Sequence, residues 1–488
     1  MACGPHFLDS GGDWRDCILN DLVAEGANFG KTVTQYQNKK VLVMGLAKSG
    51  ANAARLLQQL GAFVTVTDIK PFDQNPAAQS LLDEGVRVIT GKQPLALLDE
   101  DFSLMVKNPG IPYDNPFVDK AEKLGIPIIT EPELAYEISE APWVTVTGTN
   151  GKTTTTTLIA EMLNADRSVG KAYLAGNIGI PASAVAEKVG PDDTMVVEMS
   201  SFQLAGTTQL HPHIAVLTNI YSAHLDYHKT RANYINAKMK MVANQTAADY
   251  FVVNWDREEW QALAQRTKAQ VVPFSRQNLT QDGAYLANGT LYFRGTPIIK
   301  ADEIRIPGAH NVENALAAIA AAKLAGQADN AAIAHVLKTF PGVKHRMQYV
   351  ETWQSRKIYN DSKATNIVST EVALRSFPGP VVLIGGGLDR GFTFEKLLPL
   401  LKDHVHTMVV YGQTKQLLAD VAKKAGITDL HIVDTLDQAV PVALKESKPG
   451  DVVLFSPAAA SWDQFHTFEE RGDRFIADVN QFIKENPA

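Results

Sequence analysis

WVTVTGTNGKTTTTT, residues 143–157, decides the fold. The residues before Gly148 read as a buried strand, and the stretch after Gly151 can start a helix. Glycines at 148 and 151 let backbone amides curl around phosphate oxygens. Lys152 brings a point charge to the β- and γ-phosphates, Thr153 a hydroxyl for Mg2+, and the helix amino terminus its dipole. The string departs from the common GxxxxGK[ST] pattern, because Val146 stands where the first glycine would be. Its plain alternative is a chance Gly-Lys-Thr in an ordinary strand-to-helix turn.

The same pattern continues on either side. KKVLVMG (39–45), FVTVTD (63–68), MVVEM (195–199), IAVLTN (214–219), VVLIGG (381–386), TMVVYG (407–412) and DVVLFS (451–456) are near-continuous apolar runs of strand length. Such runs mark parallel strands buried on both faces, with helices as crossovers. DGAYLANGTLYFRGTPI (282–298) differs and predicts an antiparallel meander turning at NG and RG. A chain of 488 residues is too long for one core. The expected division is an extension over 1–30 without regular order, then α/β domains over 31–135, 136–342 and 343–488.

Composition narrows the partners. The net charge of −7 comes without a block of like charges, which argues against nucleic acid and against a basic membrane-surface patch. No apolar run approaches the roughly 18–20 residues that span a bilayer. MACGPHFLDSGGDWRD has neither a basic start nor an apolar stretch, so a signal peptide is not expected. The only cysteines, Cys3 and Cys17, lie in the first 17 residues, so the body carries no disulfide framework and a cytoplasmic location is expected.

Four strings, in order, resemble the Mur ligase family. GTNGKTT is the loop that this family shares with folylpolyglutamate synthetases. EMSSFQL (198–204) sets Glu198 at a strand end, HNVENALAAIAAAKLAG (310–326) sets Asn311 and Asn314 one helical turn apart, and YNDSKATN (359–366) sets Asp361 and Lys363 after a strand. The resemblance covers roughly residues 38–480. It implies a central P-loop ATPase-like domain flanked by two Rossmann-like domains, each a mostly parallel sheet with helical crossovers. ATP would be held by Gly148, Thr149, Asn150, Gly151, Lys152, Thr153 and Thr154, with Asn311 and Asn314 at the adenine and Arg346 and Asp361 completing the site.

Within the family, the chain is similar to the branch that adds D-glutamate to UDP-N-acetylmuramoyl-L-alanine. KKVLVMGLAKSG opens the first domain as Gly45-x-Ala47-x-x-Gly50, with Asp68 ending the next strand. As a dinucleotide fingerprint this is interrupted, since Ala47 stands where a glycine would let a pyrophosphate approach. The resemblance instead assigns Lys48 and Ser49 to the UDP pyrophosphate and Asp68 to the uracil. Asn108 and Gly110 fall in a closing loop, and Asn177 and Ser200 lie near the muramoyl-alanine part. SPAAASWDQFHTFEERGDRF (456–475) carries Ser461 and Phe468 for the amino acid, joined by Lys363 and Thr365. Arg390, in GGGLDRG, falls near a lysine of some relatives and keeps its carboxylate-pairing role.

The resemblance also implies two Mg2+ ions, with Thr153, Glu198, His224 and Lys238 as metal positions and Lys238 carbamylated; Lys240 is the rival lysine. His211, His213, His224 and His228 leave a zinc cluster as a competing reading. Lys152, Glu198, His224, Lys238 and Arg346 are the expected catalytic set. The implied reaction is ATP-driven amide formation by a monomer, through an acyl phosphate, with domain closure about a hinge near 340–345. Another amide ligase of the family, a P-loop ATPase that makes no bond and a dinucleotide-dependent redox protein are the alternatives.

Overall fold

The computed structural model describes residues 33–487 except Ser222 and Gln327. The expected extension over 1–30 and both cysteines lie outside the described residues. Three sheets organise the described residues. The first holds β1 (Lys40–Met44), β2 (Phe63–Asp68), β3 (Arg87–Thr90), β4 (Leu104–Lys107) and β5 (Ile128–Ile129), in the order 3-2-1-4-5. All its pairings are parallel. The order reverses beside β1, and α1 (Lys48–Gln59) starts at the carboxyl end of that strand. Open α/β sheets bind ligands at such a switch point.

The second sheet holds β6 (Trp143–Thr147), β7 (Ala172–Gly176), β8 (Thr194–Glu198), β9 (Ile214–Leu217), β10 (Tyr250–Asn254), β11 (Gln270–Ser275), β12 (Ala284–Ala287), β13 (Thr290–Phe293) and β14 (Thr296–Lys300). Its order is 14-13-12-11-10-9-6-8-7. The expected meander is there: β12, β13 and β14 pair antiparallel. Its turns use Asn288-Gly289 and Arg294-Gly295, all four at positive φ, the backbone that two-residue hairpins demand. The helices used below are α2 (Lys152–Asn164), α3 (Ser201–Ala205), α4 (Leu225–His228), α5 (Arg231–Met239) and α6 (Ala309–Leu324).

The third sheet holds β15 (Gln348–Trp353), β16 (Arg356–Asn360), β17 (Val381–Gly386), β18 (Val405–Tyr411), β19 (Asp429–Ile432) and β20 (Val452–Phe455), ordered 15-16-20-17-18-19. Only β15 runs antiparallel. Alternate residues of its strands enter separate apolar clusters. Val381, Leu383 and Leu454 face one side, Val382, Ile384 and Val453 the other. The first sheet does the same with Val41 and Val43 against Leu42 and Met44. Two buried faces explain why these strands read as unbroken apolar runs. The chain closes with α7 (Phe468–Glu485).

The chain divides into two compact units. One runs through Ala301 and takes in Glu313–Val336; the other comprises Asp302–Val312 and the chain from Leu337 onward. The first two sheets lie in the former and the third sheet in the latter. No helix among the described residues is long and apolar enough to cross a membrane.

Candidate active site

The loop after β6 is fixed by its glycines and by the exit of β9. Gly148 has φ +153°, and a Cβ there would lie 1.9 Å from Thr218 Oγ1. Gly151 has φ +81° and caps α2, with a hypothetical Cβ 2.2 Å from Asn314 Oδ1. No larger residue fits either place. Asn219 grips the loop: its carbonyl accepts from Thr149 N at 2.9 Å and its Oδ1 from Asn150 N at 2.9 Å. Thr218 Oγ1 donates to Asn150 O at 2.6 Å. Thr149 Oγ1 sits 2.9 Å from the Tyr234 hydroxyl. Sequence reasoning missed Thr218, Asn219 and Tyr234. The first two end the IAVLTN run, where a polar pair after an apolar strand was the available signal.

Two ammonium groups converge on one carbonyl. Gly148 O accepts from Lys152 Nζ at 3.0 Å and from Lys238 Nζ at 2.8 Å. Lys152 also donates to Thr149 O at 2.9 Å, and Lys238 to Thr147 Oγ1 at 3.2 Å. Lys238 is only 1% exposed. Burial, and then the charge of Lys152, push its pKa well below the ordinary lysine range, with Glu198 opposing. The rival Lys240 is exposed and donates elsewhere, to the carbonyls of Ala205 and Thr207. Lys238 is therefore the lysine that reaches the phosphate loop.

Glu198 ends β8 beside β6 and is 2% exposed. Its Oε1 accepts from Asn177 Nδ2 at 2.8 Å, while Oε2 is buried without a hydrogen-bond partner among the described residues. His224 adopts a left-handed φ of 55° ahead of α4, its ring 4.9 Å from that of Phe202. Burial, then Lys152 and Lys238, lower its pKa, so it presents a neutral imidazole at neutral pH. An unpartnered buried carboxylate oxygen and the Thr153 hydroxyl are oxygen donors that suit a hard cation such as Mg2+, while the His224 imidazole is a softer donor. Lys238 as an ammonium cannot ligate a cation; as a carbamate it could.

The four histidines of the zinc reading do not converge. His211 and His213 both bond Asp249, at 2.6 and 3.3 Å, and His228 Nε2 lies 2.9 Å from Ser201 Oγ. Ser200 caps α3 through a capping box with Gln203, so much of its polarity is already used.

At the first sheet, Asp68 ends β2 and its carboxylate reaches the turn after β1. Its Oδ2 accepts from Leu46 N at 2.7 Å and its Oδ1 from Lys70 N at 2.8 Å. Gly45, at φ +98°, backs onto Asn108, whose Cβ would be 2.7 Å from a new Cβ. Asn108 Oδ1 in turn accepts from Gly110 N at 3.0 Å. Lys48 and Ser49 open α1 on the same side. The structure thus gathers Lys48, Ser49, Asp68, Asn108 and Gly110 at one switch point.

Asn314 lies against the phosphate loop, with Thr155 Oγ1 donating to its Oδ1 at 3.4 Å. Asn311, also on α6, falls in the other unit, where its Nδ2 donates to Pro307 O at 2.6 Å. In that unit Asp361 follows β16, buried, accepting from Met347 N at 3.1 Å and Ser456 Oγ at 2.9 Å. Burial raises its pKa to about 7 against those bonds and against the pull of Arg346 and Arg471. Arg346 Nε is buried and has no hydrogen-bond partner among the described residues. Lys363 Nζ sits 5.2 Å above the Phe468 ring, and Thr365 N bonds Lys363 O at 2.8 Å.

Ser461 is buried in the loop after β20, next to Ala460, whose carbonyl accepts from Leu388 N at 2.9 Å. Arg390 is on the exposed loop after β17, its guanidinium over Phe392. Sequence reasoning missed Arg471. Fully buried on α7, it donates to Ser362 Oγ at 3.1 Å, Ser362 O at 2.8 Å and Ala459 O at 3.0 Å. It joins the loop carrying Asp361 and Lys363 to the loop carrying Ser461. An arginine inside an amphipathic helix reads as surface, as its neighbour Arg474 is, so nothing in the local pattern flagged it.

Known proteins match this arrangement along almost its whole length. Family models for the Mur ligase MurD-like N-terminal domain, the Mur ligase middle domain and the Mur ligase glutamate ligase domain match residues 39–130, 146–322 and 345–459. The chain is 61% identical over 451 residues to the UDP-N-acetylmuramoylalanine–D-glutamate ligase of Lactiplantibacillus plantarum, covering 92% of this chain and 98% of that one. It is 55% identical to the enzyme of the same name from Listeria monocytogenes, covering 93% and 99%. Among solved structures, the fold resembles UDP-N-acetylmuramate-alanine ligase of Thermotoga maritima, with TM-score 0.53 and 21% identity over 92% of this chain and 99% of that one. It also resembles the MurF ligase of Thermotoga maritima in complex with ADP, with TM-score 0.54 and 16% identity over 95% and 99%. The chain belongs to the Mur ligase family.

Proposed function

We propose that the chain joins D-glutamate to UDP-N-acetylmuramoyl-L-alanine by ATP-dependent amide formation, in peptidoglycan precursor synthesis. The convergence of Lys152 and Lys238 on Gly148 O, beside Glu198, is the observation that carries the ATP half of this reading. The relatives at 61% identity carry the substrate half.

The alanyl carboxylate attacks the γ-phosphorus, ADP leaves, and an acyl phosphate forms. The D-glutamate amine then attacks the acyl carbon, and phosphate departs from the tetrahedral intermediate. Bringing a carboxylate against a triphosphate sets anion against anion, so positive charge decides the rate. Lys152 and Arg346 supply part of it. Mg2+, when bound at Thr153, Glu198, His224 and a carbamylated Lys238, supplies the rest by neutralising phosphate charge. A depressed lysine pKa favours the free amine that a carbamate requires.

The switch point of the first sheet holds the nucleotide, with pyrophosphate at the start of α1 by Lys48 and Ser49 and the uracil by Asp68. Asn177 and Ser200 flank the muramoyl-alanine. Lys363, Thr365, Ser461 and Phe468 take the amino acid, and Arg390 its carboxylate as its loop closes. Because the phosphate loop and the amino-acid site belong to different units, chemistry requires closure, with a hinge at 340–345. Each of the three sheets is the core of one domain, over 31–135, 136–342 and 343–488. The working enzyme is a cytoplasmic monomer using two Mg2+ ions.

The test is phosphate release from ATP with UDP-N-acetylmuramoyl-L-alanine, comparing D-glutamate, L-glutamate and L-lysine. Release that needs both the nucleotide sugar and D-glutamate is expected. Lys152→Ala should cut it about 10³-fold without loss of fold. Release indifferent to the nucleotide sugar, or preferring another amino acid, would sink the substrate assignment.

A further inference from the structure

Lys107 is a buried lysine that the mechanism above does not use. It ends β4, is 1% exposed, and the four hydrogen-bond acceptors of its ammonium are neutral oxygens. Three belong to the loop that follows: Ile111 O at 2.6 Å, Asn108 O at 3.3 Å and Pro109 O at 3.4 Å. The fourth is the Tyr227 hydroxyl at 3.2 Å, on α4 of the second sheet's region. A buried ammonium held by neutral oxygens and by the ring faces of Tyr113 at 4.6 Å and Tyr227 at 5.8 Å is an expensive way to pack a loop, because its solvation is forfeited. An apolar residue would fill the space at less cost.

The far end of this contact is one residue group. Tyr227 OH also bonds Ile111 O at 3.3 Å, and its ring meets Phe202 at 4.5 Å, the same ring that packs His224. Tyr227 and His228 both donate backbone N–H bonds to His224 O, at 3.2 and 3.0 Å. Positive φ at His224 and at Lys229 bounds this single turn on both sides. An ion pair from Lys229 Nζ to Asp114 at 2.7 Å ties its end to the 107–114 loop a second time. The turn carrying His224 is thus fastened to the loop carrying Asn108 and Gly110.

We propose that Lys107, through Tyr227, is a positioning residue that couples nucleotide-sugar binding at the 107–114 loop to the placement of His224 beside the phosphate loop. This rests on the functional reading above. A nucleotide seated on Asn108 and Gly110 orders the loop carbonyls, and those carbonyls aim the Lys107 ammonium at Tyr227. The Tyr227 turn then holds the His224 imidazole where the phosphates of ATP arrive. Catalysis would accordingly be switched on by the acceptor substrate, and ATP would not be spent on water.

The experiment combines amide hydrogen exchange with steady-state kinetics on the full chain, for wild type, Lys107→Met and Tyr227→Phe. In wild type, adding UDP-N-acetylmuramoyl-L-alanine should slow exchange in residues 224–229. That protection should be lost in both variants, while protection of the first sheet's turn persists. Both variants should lower kcat roughly tenfold, the scale of losing a group that orients a ligand, with KM for D-glutamate unchanged. A merely structural role would lower the melting temperature and leave kcat per folded enzyme and the 224–229 response intact, which overturns the proposal. Should Lys107→Met not fold, Tyr227→Phe, which removes one hydroxyl, decides alone. A wild type whose turnover ignores the nucleotide sugar overturns the functional reading and this coupling with it. A sugar-dependent wild type with unaltered variants overturns the coupling only.

Discussion

The molecule uses the strand–turn–helix slot twice in its first unit, and the two uses differ in sign of charge. After β6 the loop carbonyl Gly148 O receives the amino groups of two lysines, Lys152 and Lys238. After β1 the equivalent turn receives a carboxylate, with Asp68 bonded to Leu46 N. Both turns lean on a glycine at positive φ backed by a side chain, Thr218 in one case and Asn108 in the other. The backbone device is shared; the ligand is chosen by what the next strand delivers. The slot with Lys152 suits a triphosphate, whereas the Asp68 carboxylate offers an acceptor to a hydrogen-bond donor such as a uracil imide, beside the α1 start that the pyrophosphate would use. Topology places the sites and side chains assign them.

The sharpest way to break this comparison is at the lysines. Lys238→Met should lower kcat by about 100-fold or more, whereas Lys240→Met, whose amine bonds carbonyls away from the loop, should stay within about threefold. Phosphate release at saturating substrates checks both. Equal losses would mean that the loop contact of Lys238 is not what matters. Labelling with 13C-bicarbonate should give a carbamate signal in wild type and none in Lys238→Met.

At the other slot, Asp68→Ala removes a charged acceptor from a backbone amide. The nucleotide-sugar KM should rise roughly tenfold, from the loss of about 1.5 kcal/mol of charge-assisted bonding. The ATP KM should not move. A change in the ATP KM instead would show that the two slots are not separate.

The smallest effect lies outside both slots, at Glu131, which is buried and accepts from Ser183 N at 2.5 Å. Burial raises its pKa from 4.5 to about 7, opposed by the Ser183 bonds. The native state therefore holds a proton between pH 4.5 and 7 that the unfolded chain has released. This contribution is fully present below pH 4.5 and lost as the pH rises through 7. Glu131→Gln should flatten that dependence and gain a few degrees in melting temperature at pH 8, read by thermal scans at both ends of the window. An unchanged pH profile would mean that Glu131 is ionised in the folded state.

Much of this was legible in the sequence because it is local. FVTVTD and VVLIGG are strands over the residues quoted, and the 282–298 meander turns at the glycines that signalled it. GTNGKTT announced its loop because glycine, lysine and threonine must follow one another for phosphate chemistry. Tyr234 and Arg471 were not legible, and Thr218 and Asn219 left only a polar pair at a strand end as their signal. Their roles depend on strand order and helix packing that bring residues tens to hundreds of positions apart into hydrogen-bond reach. The choice between Lys238 and Lys240 was of the same kind. Two lysines two residues apart look alike in a string, yet one is buried against Gly148 and the other is exposed.

The tight backing of the phosphate loop has a pharmacological consequence. Any β-carbon at 148 or 151 collides with Thr218 or Asn314 and must also adopt a backbone that residues with side chains rarely take up. A compound that contacts the main chain of 148–151, and not the variable side chains around it, would press on a surface that resistance mutations have no room to alter.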